Sequence, residues 1–472
     1  MDKNGRHLFA YAMGINTHQE PVVYMREDCP VCRAEGFNAT SRILIRATNN
    51  KELIATLNIV DSNKLPSGNI GLSRIAQRRL DVGEGDMLVI SQAPIVLSLG
   101  AVRKKIHGHA LDSSEIDQII VDINDHKYSD IEIASFLSVC AGDRLNLDEI
   151  ISLTRAMVAC GEHIEWPSKE RIFDKHCIGG LPGNRTTPLV VAIASAAGLT
   201  VPKTSSRSIT SPSGTADTMD TLMNVNLTID QIRQVVAKTD ACLAWGGAVN
   251  LSPADDLMIR IERALDLDVE GQLIASVLSK KIAAGSTHAI IDIPVGETAK
   301  VRNQADADRL AWLFTEVGKA CDLYVRCLIT DGSRPIGAGI GPAEEARDLL
   351  AVLKGQADAP ADLTERALFL AAHLLDMAYH FGYEAGLHQA RSILESGQAW
   401  AKFQSIAAAQ GGLKPLPSPH YRQTIHSARS GIIHSIDNRR LARLAKLAGA
   451  PFDPAAGLRL SVNIGSQVSK GD

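Results

Sequence analysis

The chain has 472 residues, 45% of them hydrophobic, and a net charge of −4. That length allows two or three domains of about 100 to 200 residues each, and a slightly acidic chain offers no global basic field for nucleic acid or an anionic membrane. The apolar runs are short and broken by charges, well under the roughly 18 residues of a membrane span, and MDKNGRHLFA has no signal-peptide core, so a cytoplasmic protein with a small ligand is expected.

Residues 1–100 read as a β-rich domain. Ser41 to Arg46, Ile54 to Val60 and Asp86 to Ile90 are strand-like, with a short helix around Ser73 to Arg79. This stretch carries no catalytic constellation and is expected to serve packing or assembly. Its Cys29-Pro-Val-Cys32 is the only close pair among eight cysteines. No second CxxC or histidine pair follows at zinc-finger spacing, so no metal site is assigned.

A small helical domain is expected over 101–168, joined by a later segment near 246–285. Asp112 with Glu115, Ser129 with Glu132 and Asn146 with Glu149 each set a capping acceptor three residues before a carboxylate. Ile116, Ile119, Ile120 and Ile123 then fall on one helical face.

From 169 to 415 the pattern is α/β. Strand-like runs at Arg171 to His176, Cys242 to Trp245, His288 to Pro294 and Leu323 to Thr330 alternate with helices, which predicts a mixed, mainly parallel sheet with its ligand site at the strand C-terminal ends. Thr364 to Phe381, Tyr383 to Ser396 and Ala399 to Ala409 read as helices. Pro415 to Pro419 marks a boundary, and 416–472 forms a C-terminal α+β domain.

The chemistry concentrates between Phe173 and Thr221. The run Leu189 to Ala197 predicts a core helix with Thr187 as N-cap and Pro188 at its first position. Before it, Gly179, Gly180 and Gly183 let backbone approach a ligand, and the helix N-terminus favours an anion. After it, Lys203 to Thr215 supplies Lys203, Arg207 and eight hydroxyls. Surface loops are often rich in small polar residues, but this density of cation and hydroxyl donors points to phosphate. A P-loop is excluded, because Asn184-Arg185-Thr186 follows the last glycine where GK[ST] is required.

The pair DKHCIGGLPGNRTTP and VPKTSSRSITSPSGTADTM resembles the phosphate-binding signature of the thymidine phosphorylase family, on the branch typified by archaeal AMP phosphorylase. The resemblance implies a phosphorylase and phosphoribosyltransferase-like fold, a homodimer or larger homo-oligomer, and inorganic phosphate as a substrate with no cofactor. It puts Lys175, Cys177, Gly179, Gly180, Thr187, Ser205 and Thr215 on phosphate. Cys177 stands where the family has serine, and a thiol is the weaker donor. It puts Gly180, Ser206, Arg207, Ser208, Ile209, Thr210, Ser211, Thr215, Ser276 and Lys300 on the nucleotide. Lys280 joins them as Ser276's neighbour one helical turn on. Asp268 matches the acid that protonates the departing base, which requires burial or the substrate's phosphates to keep it protonated; read alone it is a solvated carboxylate at a helix start. His176 matches a histidine near the base. Where the family's pyrimidine-binding arginine belongs, ungapped counting gives Ile261, flanked by Arg260 and Arg263.

The expected reaction is phosphorolysis of a nucleoside 5′-monophosphate to free base and ribose 1,5-bisphosphate. The alternatives are phosphorolysis of thymidine or another pyrimidine nucleoside, and a silent nucleotide-binding assembly protein, which Cys177 favours. Members of the family continue into another strand beyond GLRLSVNIGSQVSKGD, so the C-terminal domain is expected to be truncated.

Overall fold

The computed structural model describes residues 7–17, 19–208 and 211–472. Two compact units make up the chain: one runs to Arg144 and takes back Leu257–Leu267, and the other comprises Leu145–Asp256 and Asp268–Asp472.

In the first unit β1 (His7–Ala12), β2 (Val22–Arg26), β3 (Arg42–Ala47), β4 (Glu52–Val60), β5 (Asn69–Leu72) and β6 (Met87–Gln92) close into a barrel of order β1-β5-β2-β4-β3-β6. Closure leaves no free strand edge. Met25, Ile43, Ile45, Leu57, Ile70 and Leu88 fill its interior. Two short helices, α1 (Pro30–Glu35) and α2 (Arg74–Leu80), complete it. Cys29 precedes α1, Cys32 lies within it, and both thiols are buried in this core; that of Cys32 donates to the Phe37 carbonyl at 3.3 Å. The β-rich expectation misses β1, β2 and β5. The latter two are strands of five and four residues that pair with distant segments, parallel in the cases of β1 with β5 and β2 with β4.

Helices α3 (Leu99–Ile106), α4 (Ser113–Asn124) and α5 (Asp130–Cys140) follow in the same unit, and α6 (Leu147–Ala159) opens the second. All three capping boxes are formed. The side chains of Asp112, Ser129 and Asn146 each accept the third backbone N–H, and Glu115, Glu132 and Glu149 bond back to the cap residue's N–H. Reciprocal capping satisfies two otherwise orphaned donors at each helix start.

The second unit alternates β7 (Phe173–Cys177), α7 (Thr186–Ala196), β8 (Val201–Ser205), α8 (Thr215–Asp220), α9 (Ile229–Thr239), β9 (Ala241–Trp245), α10 (Pro253–Leu265, which finishes in the first unit), α11 (Glu270–Ala283), β10 (His288–Val295), α12 (Gln304–Ala320), β11 (Tyr324–Asp331) and α13 (Pro342–Leu353). Three helices close it: α14 (Ala361–Tyr379), α15 (Tyr383–Glu395) and α16 (Gln398–Ala409). β7, β10 and β11 form a parallel sheet with β10 central, and β8 and β9 pair parallel beside it. α7 has buried residues on every side, so it is a core helix rather than an amphipathic one. It packs on α14, α15 and α16. Beyond α16 only two-residue pairings, Gly339–Ile340 with Leu458–Arg459 and Gly431–Ile432 with Gln467–Val468, and one helix at Asn438–Leu447 are regular.

This topology places the site. The loops after β7 and β8 both leave the C-terminal ends of parallel strands, where backbone N–H groups and helix N-termini converge.

Candidate active site

Alternation along β7 sorts its polar residues onto two faces. Lys175 and Cys177 point toward the start of α7. The Lys175 ammonium, fully buried, donates to Thr186 Oγ1 at 2.9 Å and Thr187 Oγ1 at 3.4 Å, with the buried Asp292 carboxylate 3.9 Å away. Asn184 Nδ2 lies 3.3 Å from Cys177 Sγ. Burial, with Asp292 adding to it, pushes the Cys177 thiol up to about 12. The thiol therefore stays protonated at neutral pH, a weak neutral donor and no nucleophile. Restoring the hydroxyl in Cys177→Ser should strengthen phosphate binding by about 1 kcal/mol, roughly fivefold in KM for phosphate. An unchanged or raised phosphate KM would show that Cys177 does not face the anion.

Between β7 and α7 the chain takes left-handed backbone at Gly179, Gly180 and Gly183, with φ of 95°, 91° and 77°. At two of them there is also no room for a side chain. A Cβ on Gly180 would lie 2.4 Å from the Lys300 backbone nitrogen, and one on Gly183 2.1 Å from the Ile336 carbonyl oxygen. α7 then begins at Thr186 with Arg185 as N-cap, which corrects the expectation of Thr187 in that role. The physical reason is that the helical turn already starts at Thr186, so Thr187 lies inside the helix, where its hydroxyl accepts from the Lys175 ammonium.

The second loop is partly self-contained. Ser208 donates to the Ser211 carbonyl and Ser211 to that of Ser213 at 3.0 Å; Ser213 meets the Thr218 hydroxyl at 2.8 Å. Arg207 pairs with Asp217 and Asp220 at 3.2 and 2.8 Å and stacks on Trp245. These groups build the loop more than they offer it to a ligand. Ser205 Oγ, in contrast, is buried and makes no hydrogen bond among the described residues. The Ser206 carbonyl accepts the Ala216 N–H at 3.3 Å. Thr215 opens α8 and receives Arg185 Nη1 at 2.9 Å. Ile209 and Thr210 lie outside the described residues.

On α11 the predicted pairing of Ser276 and Lys280 holds, because both reach the Oδ2 of buried Asp255, Ser276 at 2.8 Å. Asp268 stands just before α11 with its side chain 83% exposed and ion-paired to Lys300 at 3.2 Å. The structure therefore gives it no apolar pocket. Lys300, through Gly180, brings the glycine loop and Asp268 together. Ile261 is 6% exposed, and Arg260 is committed to Asp130 at 2.8 Å within the first unit.

Sequence reasoning misses Asp174, Asp255, Lys281, Asp292, Arg185 and Glu345. Asp292 and Asp174 had a signal: a carboxylate inside an apolar strand must be paired or hydrogen-bonded to be buried. Arg185 binds Glu345 at 2.7 Å, and burial, opposed by Arg185, pushes Glu345 up to about 7. His176, half-buried on the other face of β7 with Asp174, is held well below its usual value by burial first and then by Lys281, Lys203, Lys175 and Lys280. The imidazole is neutral.

A helical part and a parallel α/β part, with ammonium groups gathered behind a glycine loop at the strand ends, define a pentosyltransferase. Residues 169–400 match the model described as "Glycosyl transferase family, a/b domain" and residues 100–161 match its "helical bundle domain". The fold resembles that of anthranilate phosphoribosyltransferase from Thermus thermophilus, with a TM-score of 0.55 and 17% identity over 66% of this chain and 99% of that one. The chain is 54% identical to "Putative thymidine phosphorylase 1" of Acidovorax sp. (strain JS42), covering 98% of this chain and 90% of the relative. A second relative of similar name from Hahella chejuensis (strain KCTC 2396) is 52% identical over 99% and 92%. The chain belongs to the thymidine phosphorylase family.

Proposed function

We propose that the protein cleaves the N-glycosidic bond of a nucleoside 5′-monophosphate by phosphorolysis, giving free base and ribose 1,5-bisphosphate. The observation that carries phosphorolysis is the buried Lys175 ammonium, held by two threonine hydroxyls at the start of α7 beside the glycine loop. An oxyanion at that loop meets the ammonium and free backbone N–H groups together. Inorganic phosphate held there attacks C1′ as the bond to the base breaks. The bond's electron pair leaves on the base, so the reaction needs no enzyme nucleophile and no cofactor. Ser205, with its buried hydroxyl open to a partner, is the natural further donor to phosphate.

The choice of a monophosphate is supported by Lys300, whose backbone lies against Gly180 and whose ammonium, beside Asp268, is a cation suited to a 5′-phosphate, and by buried Ile261 where a pyrimidine-binding arginine would be expected. The second reading, a pyrimidine nucleoside, is favoured by the inward-turned hydroxyls of Ser208 and Ser211 and by the names of the relatives.

The test is incubation of the pure protein with AMP, CMP, UMP, thymidine and uridine, each with and without phosphate, followed by chromatography for free base. Base should appear only with phosphate, and faster from a monophosphate. Release confined to thymidine or uridine would transfer the proposal to the second reading, and release from none of the five, with nucleotide still bound, would leave a silent binding protein.

A further inference from the structure

Behind His176 lies a group that the phosphate-binding residues do not account for. Asp174 is 1% exposed, and its carboxylate carries two ammonium groups: Lys203 at 3.0 Å on Oδ1 and Lys281 at 2.8 Å on Oδ2. Both lysines are 3% exposed and come from different elements, β8 and α11. The Lys175 backbone N–H also donates to Asp174 Oδ1 at 2.7 Å, and Lys203 to the Thr204 carbonyl at 2.6 Å. One carboxylate answers two buried amines, and burial lowers Lys281 to about 7, so the group holds more positive than negative charge once Lys281 is protonated. Burying uncompensated charge costs several kcal/mol per ion, and a fold does not keep such an arrangement for stability. His176 lies two residues from Asp174 on the same face of β7.

Resting on the phosphorolysis reading above, we propose that Lys281, seated on Asp174 beside Lys203, is a positioning residue. It keeps His176 a neutral imidazole facing the departing base, and it keeps a positive field behind the base. As the C1′–N bond breaks, its electron pair moves onto the base and a phosphate oxygen bonds to C1′. A neutral imidazole can donate one N–H hydrogen bond to the base without surrendering its proton. The ammonium groups stabilise the negative charge until the proton arrives from the general acid. The charges that lower the imidazole are Lys281 on α11, Lys203 on β8, Lys175 on β7 and Lys280 on α11, and the carboxylates beside those lysines are Asp174 on β7, Asp292 on β10 and Asp255 on α10. Burial comes first in holding His176 low, and Lys281 is foremost among the charges. Burial also lowers the Lys281 ammonium, with Asp174 opposing and Lys203 reinforcing.

The sign follows. In the wild type His176 stays neutral as pH falls through the ordinary histidine value, about 6.5. In Lys281→Met, with burial, Lys203, Lys175 and Lys280 still holding it low, the imidazole's titration should move up toward that value, and the acid limb of kcat should move up with it. The experiment is an NMR titration of His176 in the full-length protein, assigned with His176→Gln, alongside the pH profile of kcat and the phosphate KM. For Lys281→Met the expected results are a His176 titration moved up by at least one pH unit, an acid limb in kcat, and a phosphate KM changed by less than about threefold. Lys281→Arg, which keeps the charge, should restore both wild-type profiles. An unmoved titration in well-folded Lys281→Met, or a uniform loss of kcat at all pH values, would overturn the proposal and leave Lys281 a structural residue. If Lys281→Met does not fold, Lys203→Met reads the same effect, since Lys203 sits on the same carboxylate. The titration is independent of turnover, so a protein without phosphorolysis activity would sink the functional reading while the titration still decided the role of Lys281.

Discussion

Replacing Lys175 by methionine should lower kcat/KM for phosphate by about 10²- to 10³-fold, the usual cost of losing one preorganised donor to an oxyanion. The substitution keeps the length of an apolar stem inside a β-strand but removes the one ammonium that joins Thr186 and Thr187 at the start of α7. It also leaves the buried Asp292 carboxylate without the ammonium now 3.9 Å away. Its remaining contacts are Thr330 Oγ1 at 2.7 Å and Arg366 at 3.9 Å. An incoming phosphate would then face that carboxylate with one compensating cation fewer, so affinity should suffer at least as much as turnover. Steady-state kinetics with phosphate as the varied substrate, together with a circular dichroism spectrum matching the wild type, checks this. A well-folded variant with phosphate kinetics within threefold of the wild type would remove Lys175 from the site and with it the main support for phosphorolysis.

Asp268→Asn should reduce turnover by roughly 10²- to 10⁴-fold while binding changes little, if Asp268 delivers the proton to the departing base. The substitution keeps size and most hydrogen bonding and removes the transferable proton. Its setting gives the prediction a particular form. Asp268 is exposed and paired with Lys300, whose backbone packs on Gly180, so the acid stands at the mouth of the phosphate loop rather than in an apolar pocket. Nucleotides whose bases depart without protonation should lose much less activity in Asp268→Asn than natural ones. Equal loss on both kinds would assign Asp268 to binding, and near-normal turnover would remove it as the proton source.

The features legible in the sequence are those whose cause lies within a few residues. The three capping boxes form because Asp112, Ser129 and Asn146 each reach a partner only three positions on, a contact that local geometry dictates. The glycine loop is likewise local: left-handed backbone at Gly179, Gly180 and Gly183 costs little only where no Cβ is present. Ser276 and Lys280 share a face because helical pitch puts them there, and Asp255 confirms it from across the fold. Family motifs extend this reach to Lys175 and Ser205, which the structure places beside the same loops.

Where a side chain points, and which groups it meets, depends on packing between distant segments. The hydroxyls of Ser208 and Ser211 read as ligand donors, yet they turn onto their own loop carbonyls, because a loop without ladder partners satisfies its backbone acceptors with nearby hydroxyls. Thr187 reads as a cap, and Lys175 from a neighbouring strand takes its hydroxyl instead. Arg260 flanks the expected base-binding position, but helix rotation directs it to Asp130 and buries Ile261. Asp174, Lys203 and Lys281 become one charged group only when β7, β8 and α11 pack together. A sequence shows that three such charges exist; their mutual distances, and so the field at His176, arise from packing between elements far apart in the chain, which no local rule encodes.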